Sequence, residues 1–174
     1  MRIKDVFSAL AGLGREGIVK RYAIGGAIAA LRYTDAAATE HVDVFVALQD
    51  SSASSLASLG PIYEHLTARG AQAEGAHLVI ADWPVQFLLA SDGLLAEALA
   101  EAEDVDVEGV GTRFFRAEHL AAIALQVGRP KDKLRLAQMV QQNALDMDRF
   151  RDVMKRHGLD TKWKQFETTI LDQG

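Results

Sequence analysis

The sequence predicts an α/β protein of the α+β kind: a mixed sheet flanked by helices over residues 1–115, followed by a helical segment over 116–174 packed on that core. Three observations predict it. Period-two and continuous β-branched runs alternate with helical periodicity as far as Phe115. From Arg116 onward the apolar residues recur only at helical spacing. A chain of 174 residues with 49% hydrophobic and 25% charged residues buries one substantial core.

Each element follows from local pattern. Ile3, Val6, Phe7, Leu10 and Leu13 form one apolar stripe, which predicts an amphipathic first helix with Gly14 available as its stop. Arg21–Ile24 reads as a strand, Gly25-Gly26 as a tight turn, and Ala27–Tyr33 as a helix. In His41–Leu48, Val42, Val44 and Val46 point to one sheet face and His41, Asp43 and Phe45 to the other. Leu56, Leu59, Ile62, Tyr63 and Leu66 recur helically, and Gly60-Pro61 leaves open one helix or two over 52–69.

Strands are predicted at His77–Ile80 and Val85–Leu89 about a turn at Ala81–Pro84, then a helix over Leu94–Ala102. Val105–Val107 and Thr112–Phe115 make a second hairpin, turned at Glu108–Gly111. Helices follow at Ala117–Val127, Lys131–Gln142, Met147–His157 and Thr161–Leu171, punctuated by Gly128, Asn143 and Gly158.

Composition excludes several classes. The absence of cysteine removes disulfides, thiolate catalysis and cysteine-ligated zinc. A net charge of −5 offers a polyanion no overall attraction, although basic residues concentrate after Arg113. Apolar runs fall short of the roughly 18–20 residues of a membrane span, so no membrane association and a cytoplasmic location are expected.

The stretch that carries chemistry is Gly25-Gly26 followed by Thr39-Glu40-His41-Val42-Asp43-Val44-Phe45-Val46. Here, and through Trp83–Leu88, Glu118–Leu120 and Gly128–Asp132, the chain resembles the minimal nucleotidyltransferases, AbiEii-type toxin relatives included. That family joins a glycine turn, a helix and a strand bearing Asp-x-Asp. The resemblance implies a nucleotidyltransferase-like fold, an NTP-contacting turn at Gly25 and Gly26, and Mg²⁺ held by strand carboxylates for nucleotidyl transfer. Two carboxylates on one strand face can share Mg²⁺ and neutralise charge on a transferring phosphoryl group.

The departures are specific. Asp43 takes the second carboxylate position, but His41 stands in the first, where imidazole gives Mg²⁺ a single nitrogen in place of hard oxygens. The neighbouring-strand carboxylate position matches Gln86, and two further charged positions of the family match Ala124 and Arg135. The resemblance therefore implies a degenerate site. Its candidate catalytic residues are Asp43 with Glu40 or Asp132 as helpers, its metal ligands Asp43 and His41, and its nucleotide-binding residues Gly25, Gly26 and Lys131.

Other readings of the same residues stand beside these. Gly25-Gly26 can be a plain strand-to-helix connection, Asp43 a polar residue at an open sheet end, and the charges Arg129–Arg135 a solvated helix face. Trp83 and Trp163 are expected to pack in the core. The resemblance implies a nucleotide-binding or protein-interaction module with reduced or lost transfer, in a toxin–antitoxin-like pair. The alternative is an active Mg²⁺-dependent transferase modifying RNA or protein; a ligand-free structural domain is the third reading.

Overall fold

The computed structural model describes residues 3–35, 39–49 and 59–171. Helix α1 (Ile3–Arg15) is followed by strand β1 (Arg21–Ile24), helix α2 (Gly26–Ala30) and strand β2 (Val42–Ala47). Helix α3 (Gly60–Thr67) leads to strands β3 (Gln72–Glu74), β4 (His77–Ile80) and β5 (Trp83–Leu89), and helix α4 (Gly93–Ala100) to the hairpin β6 (Glu103–Val107) and β7 (Val110–Phe114). The remainder is helical: α5 (Ala117–Val127), α6 (Pro130–Gln141), α7 (Met147–Arg156) and α8 (Asp160–Phe166), which ends in a π-helical turn at Glu167–Leu171.

The strands form one seven-stranded sheet in the order β3-β4-β5-β2-β1-β7-β6. It is mixed: β2 runs parallel to β5 and β1 parallel to β7, while the other pairs are antiparallel. The mixed sheet flanked by helices matches the predicted class.

The two side-chain sets of β2 explain its interior place. Val42, Val44 and Val46 are fully buried on one face, and Phe45 is buried on the other against Phe115, with ring centroids 4.8 Å apart. A strand buried on both sides has covering layers on both sides. Helix α1 packs its apolar stripe over β7, β1 and β4, with Phe7 edge-on to Phe114 at 5.7 Å, whereas α2 and α4 pack on β2. The helical segment joins the same core through α5, which contacts α2, α4, α6, α7 and α8.

Several boundaries differ from the sequence reading. Helix α1 continues through Gly14 to Arg15. The helix after Gly25-Gly26 closes at Ala30 and gives way to turns, so Leu31–Tyr33 are not helical. Pro61 starts a helix, lying in the first turn of α3, where its missing N–H costs nothing. The earlier part of the predicted 52–69 helix, 52–58, lies outside the described residues. Strand β3 leaves no mark in the sequence, because its residues are all exposed and carry no apolar alternation. The β4–β5 turn is tighter than expected: Ala81 and Asp82 take it with φ of 49° and 66°, and β5 already begins at Trp83. No described helix is long and apolar enough to cross a membrane.

Candidate functional site at the Gly25-Gly26 turn

Because β1 runs antiparallel to β2 with Ile24 opposite Val44, the end of β1 arrives beside the beginning of β2. Gly25 N–H donates to the Asp43 carbonyl at 3.0 Å and closes the turn onto that strand. Glycine is needed twice here for different reasons. A Cβ on Gly25 would stand 2.5 Å from the Phe45 ring, and one on Gly26 would stand 2.1 Å from Asp43 Oδ2. Gly26 also has φ +57°, a conformation L side chains rarely take.

Asp43 is thus the polar floor of the turn. Its other oxygen, Oδ1, lies 3.1 Å from His41 Nε2, and the two side chains are part-exposed at 21% and 31%. Across the sheet, the parallel register sets Gln86 of β5 against Asp43. The antiparallel pairing of Leu78 with Val85, continued by one residue, sets His77 of β4 beside Gln86. The His41 and His77 rings lie 5.4 Å apart, centroid to centroid. One row across three strands therefore reads Asp43, Gln86, His77.

Helix α6 brings a cation into electrostatic range of Asp43. Its cap residue Arg129 binds Asp132 through Nε at 2.6 Å and Nη2 at 3.3 Å, and its backbone N–H donates to the same carboxylate at 3.3 Å. The Asp132 hydrogen bond, together with the fields of Asp132 and Asp43, raises the Arg129 pKa above its ordinary value against the opposing effect of burial. Asp43 and Arg129 are thus near enough for their charges to interact. Asp132 itself is buried, is committed to capping α6, and has Arg135 Nη1 3.9 Å away.

The sequence-nominated residues fall into two groups. Gly25, Gly26, His41 and Asp43 come together at one end of β2. Glu40 is exposed just before that strand, and Lys131 is exposed on the first turn of α6, next to the Arg129 cap. His77 and the electrostatic influence of Asp43 on Arg129 carry no signal in the sequence. His77 is 34 residues from Asp43, and only strand pairing, which local periodicity does not encode, makes them neighbours.

The donor set does not fit Mg²⁺ held by paired carboxylates. Asp43 Oδ1 is taken up by His41, Oδ2 is pressed against Gly26, and the adjacent strand offers the neutral amide of Gln86. Mg²⁺ requires hard oxygen donors in near-octahedral array, and among the described residues the Asp43 row supplies one carboxylate and one imidazole.

No protein-family model matches the sequence, and no curated protein matches it. Solved structures do. An antigenic nucleotidyltransferase-like protein from Paracoccidioides brasiliensis is similar over 93% of this chain and 92% of its own, at 13% identity and a TM-score of 0.55. The antibiotic-resistance factor ANT(2'')-Ia is similar in its solution structure over 95% of each chain, at 13% identity and a TM-score of 0.52. Its complex with adenylyl-2''-tobramycin covers 95% of this chain and 97% of its own, at 12% identity and a TM-score of 0.50. With a mixed sheet, a glycine turn on the central strand and coverage of nearly the whole chain, this protein has the nucleotidyltransferase fold.

Proposed function

We propose that this nucleotidyltransferase-fold chain has reduced or lost metal-dependent transfer and serves as a nucleotide-binding module. In this reading it is an AbiEii-type relative working in the cytoplasm, within a toxin–antitoxin-like pair, with a protein or RNA partner. The observation that carries it is the Asp43 row: a single carboxylate, engaged by His41, beside the neutral Gln86. Gly26 also approaches Asp43 so tightly that a Cβ there would stand 2.1 Å from Oδ2, closer than a strand-to-helix connection alone requires. Arg129 supports the nucleotide reading as a cation in electrostatic range of Asp43, for which a phosphate would compete with Asp132. Lys131, exposed beside it, adds a second cation.

The deciding experiment incubates the protein with each labelled nucleoside triphosphate, Mg²⁺ or Mn²⁺, and total RNA or candidate protein acceptors. Equilibrium binding of the same nucleotides is measured without acceptor. Binding without transfer is the expected result, and it should weaken in Arg129→Gln. Robust transfer by the wild type would establish the active Mg²⁺-dependent enzyme instead. Absence of any nucleotide binding would leave the fold as a purely structural or protein-interaction domain.

A further inference from the structure

A second concentration of ligating side chains lies away from the cleft, where α4, α5 and the end of α7 meet. Glu97 of α4 and Glu101, the residue that caps its C-terminus, converge with His119 of α5 so that one donor atom from each lies within 4.8 Å of the others. His157, the C-cap of α7, reaches the same carboxylate: its Nε2 is 2.7 Å from Glu97 Oε2, while His119 Nε2 is 3.0 Å from Glu97 Oε1. We propose that Glu97, Glu101 and His119 hold a divalent transition cation of the zinc class, with His157 as a fourth donor at the edge of the site.

Two observations independent of the clustering point to a ligand. His119 is only 2% exposed, and its Nδ1 is buried without a hydrogen-bond partner among the described residues. A buried ring nitrogen left bare carries a desolvation cost that the surrounding protein does not offset. The second is access: a cavity of about 190 Å³ opens beside the cluster, with Glu101 and His119 in its wall.

The chemistry of the donors selects the ion. Imidazole nitrogen combined with carboxylate oxygen is the set zinc takes at about 2.0–2.2 Å. Both oxygens of Glu97 are engaged, Oε1 by His119 and Arg156 and Oε2 by His157 and Arg156, so an ion must displace part of this set. Donors 4.8 Å apart must draw together around an ion of that size, and Glu101, exposed at the end of α4, is placed to swing inward.

Arg156 is the resident competitor. Its Nη2 lies 2.5 Å from Glu97 Oε1, and Arg116 and Arg149 share the cavity wall with Glu101, Glu118 and Asp152, so the local charge is already largely balanced. The Arg156 side chain is half exposed and can leave into solvent. Metal entry is therefore an exchange of a guanidinium for a dication on Glu97. This gives the proposal a signature that a purely structural salt-bridge hub lacks.

The test is zinc titration of the full chain by calorimetry, with a competing chromogenic chelator and thermal melts with and without zinc. Wild type is expected to take up one equivalent and to melt higher when loaded. Glu101→Gln, which removes no hub hydrogen bond, should lower affinity by about tenfold or more with an unchanged metal-free melting temperature. Arg156→Gln should bind zinc more tightly although its metal-free form is less stable. Asp43→Asn should bind as wild type, which separates this site from the cleft. No uptake by either wild type or Arg156→Gln, or equal uptake by wild type and Glu101→Gln, would overturn the assignment.

Discussion

Replacing Gly26 by alanine puts two separable strains on the turn, and the structure allows their sizes to be worked out. The positive φ of +57° costs an L-residue about 1–2 kcal/mol. The new methyl would also stand 2.1 Å from Asp43 Oδ2, against ordinary van der Waals contact at 3.4–4 Å, so Asp43 must turn away. Turning it breaks the 3.1 Å contact with His41, worth about 0.5–1.5 kcal/mol. An off-rotamer side chain adds a further ~0.5–1.5 kcal/mol. Gly75 provides the control: its φ is +59°, yet nothing lies within 4 Å of where its Cβ would be. Gly75→Ala should cost only the backbone term, and Gly26→Ala about 1–3 kcal/mol more, the sum of the two Asp43 terms. Urea unfolding followed by far-UV circular dichroism measures both, with equal m-values as the check on two-state behaviour. Equal destabilisation of the two variants would refute the inference that the turn is built against Asp43.

Three further outcomes are expected. His41→Asp should strengthen Mn²⁺ binding on the order of tenfold by adding a hard anionic ligand about 7 Å along the strand from Asp43; equal, negligible affinity of both proteins in calorimetry would show that this end of β2 is not a relic metal site. Glu97 has its folded pKa lowered from 4.5 to about 2, so its stabilising effect is complete above about 4.5 and is lost as pH falls towards about 2. The stability deficit of Glu97→Gln should accordingly be largest near neutral pH and shrink through that acid window, and a deficit that grew on acidification would contradict the sign. Phe150, fully buried and edge-on to Trp163 at 5.2 Å, should cost about 3–5 kcal/mol as Phe150→Ala, and one concerted urea transition rather than two would show that the helical segment and the sheet unfold together.

The amino-acid sequence alone determined the character of most elements. The alternation of Val42, Val44 and Val46 with Asp43 and Phe45 is a strand wherever the chain lies, since period two is a property of the extended backbone. The helices after Arg116 likewise announce themselves through spacing and through Gly128 and Gly158, which end their helices with φ of 68° and 65°. The approach of Gly25-Gly26 to Asp43 was also legible, because a strand–turn–helix connection beside a neighbouring strand has few ways to close. What only tertiary structure decided is which distant residues share a row or a corner. Strand pairing set Gln86 and His77 beside Asp43, and helix packing turned Glu97, His119 and His157 towards one point from three elements. Periodicity records which face of an element is buried, but not which partner buries it; that choice rests on long-range packing, and the sites of this protein lie where those choices meet.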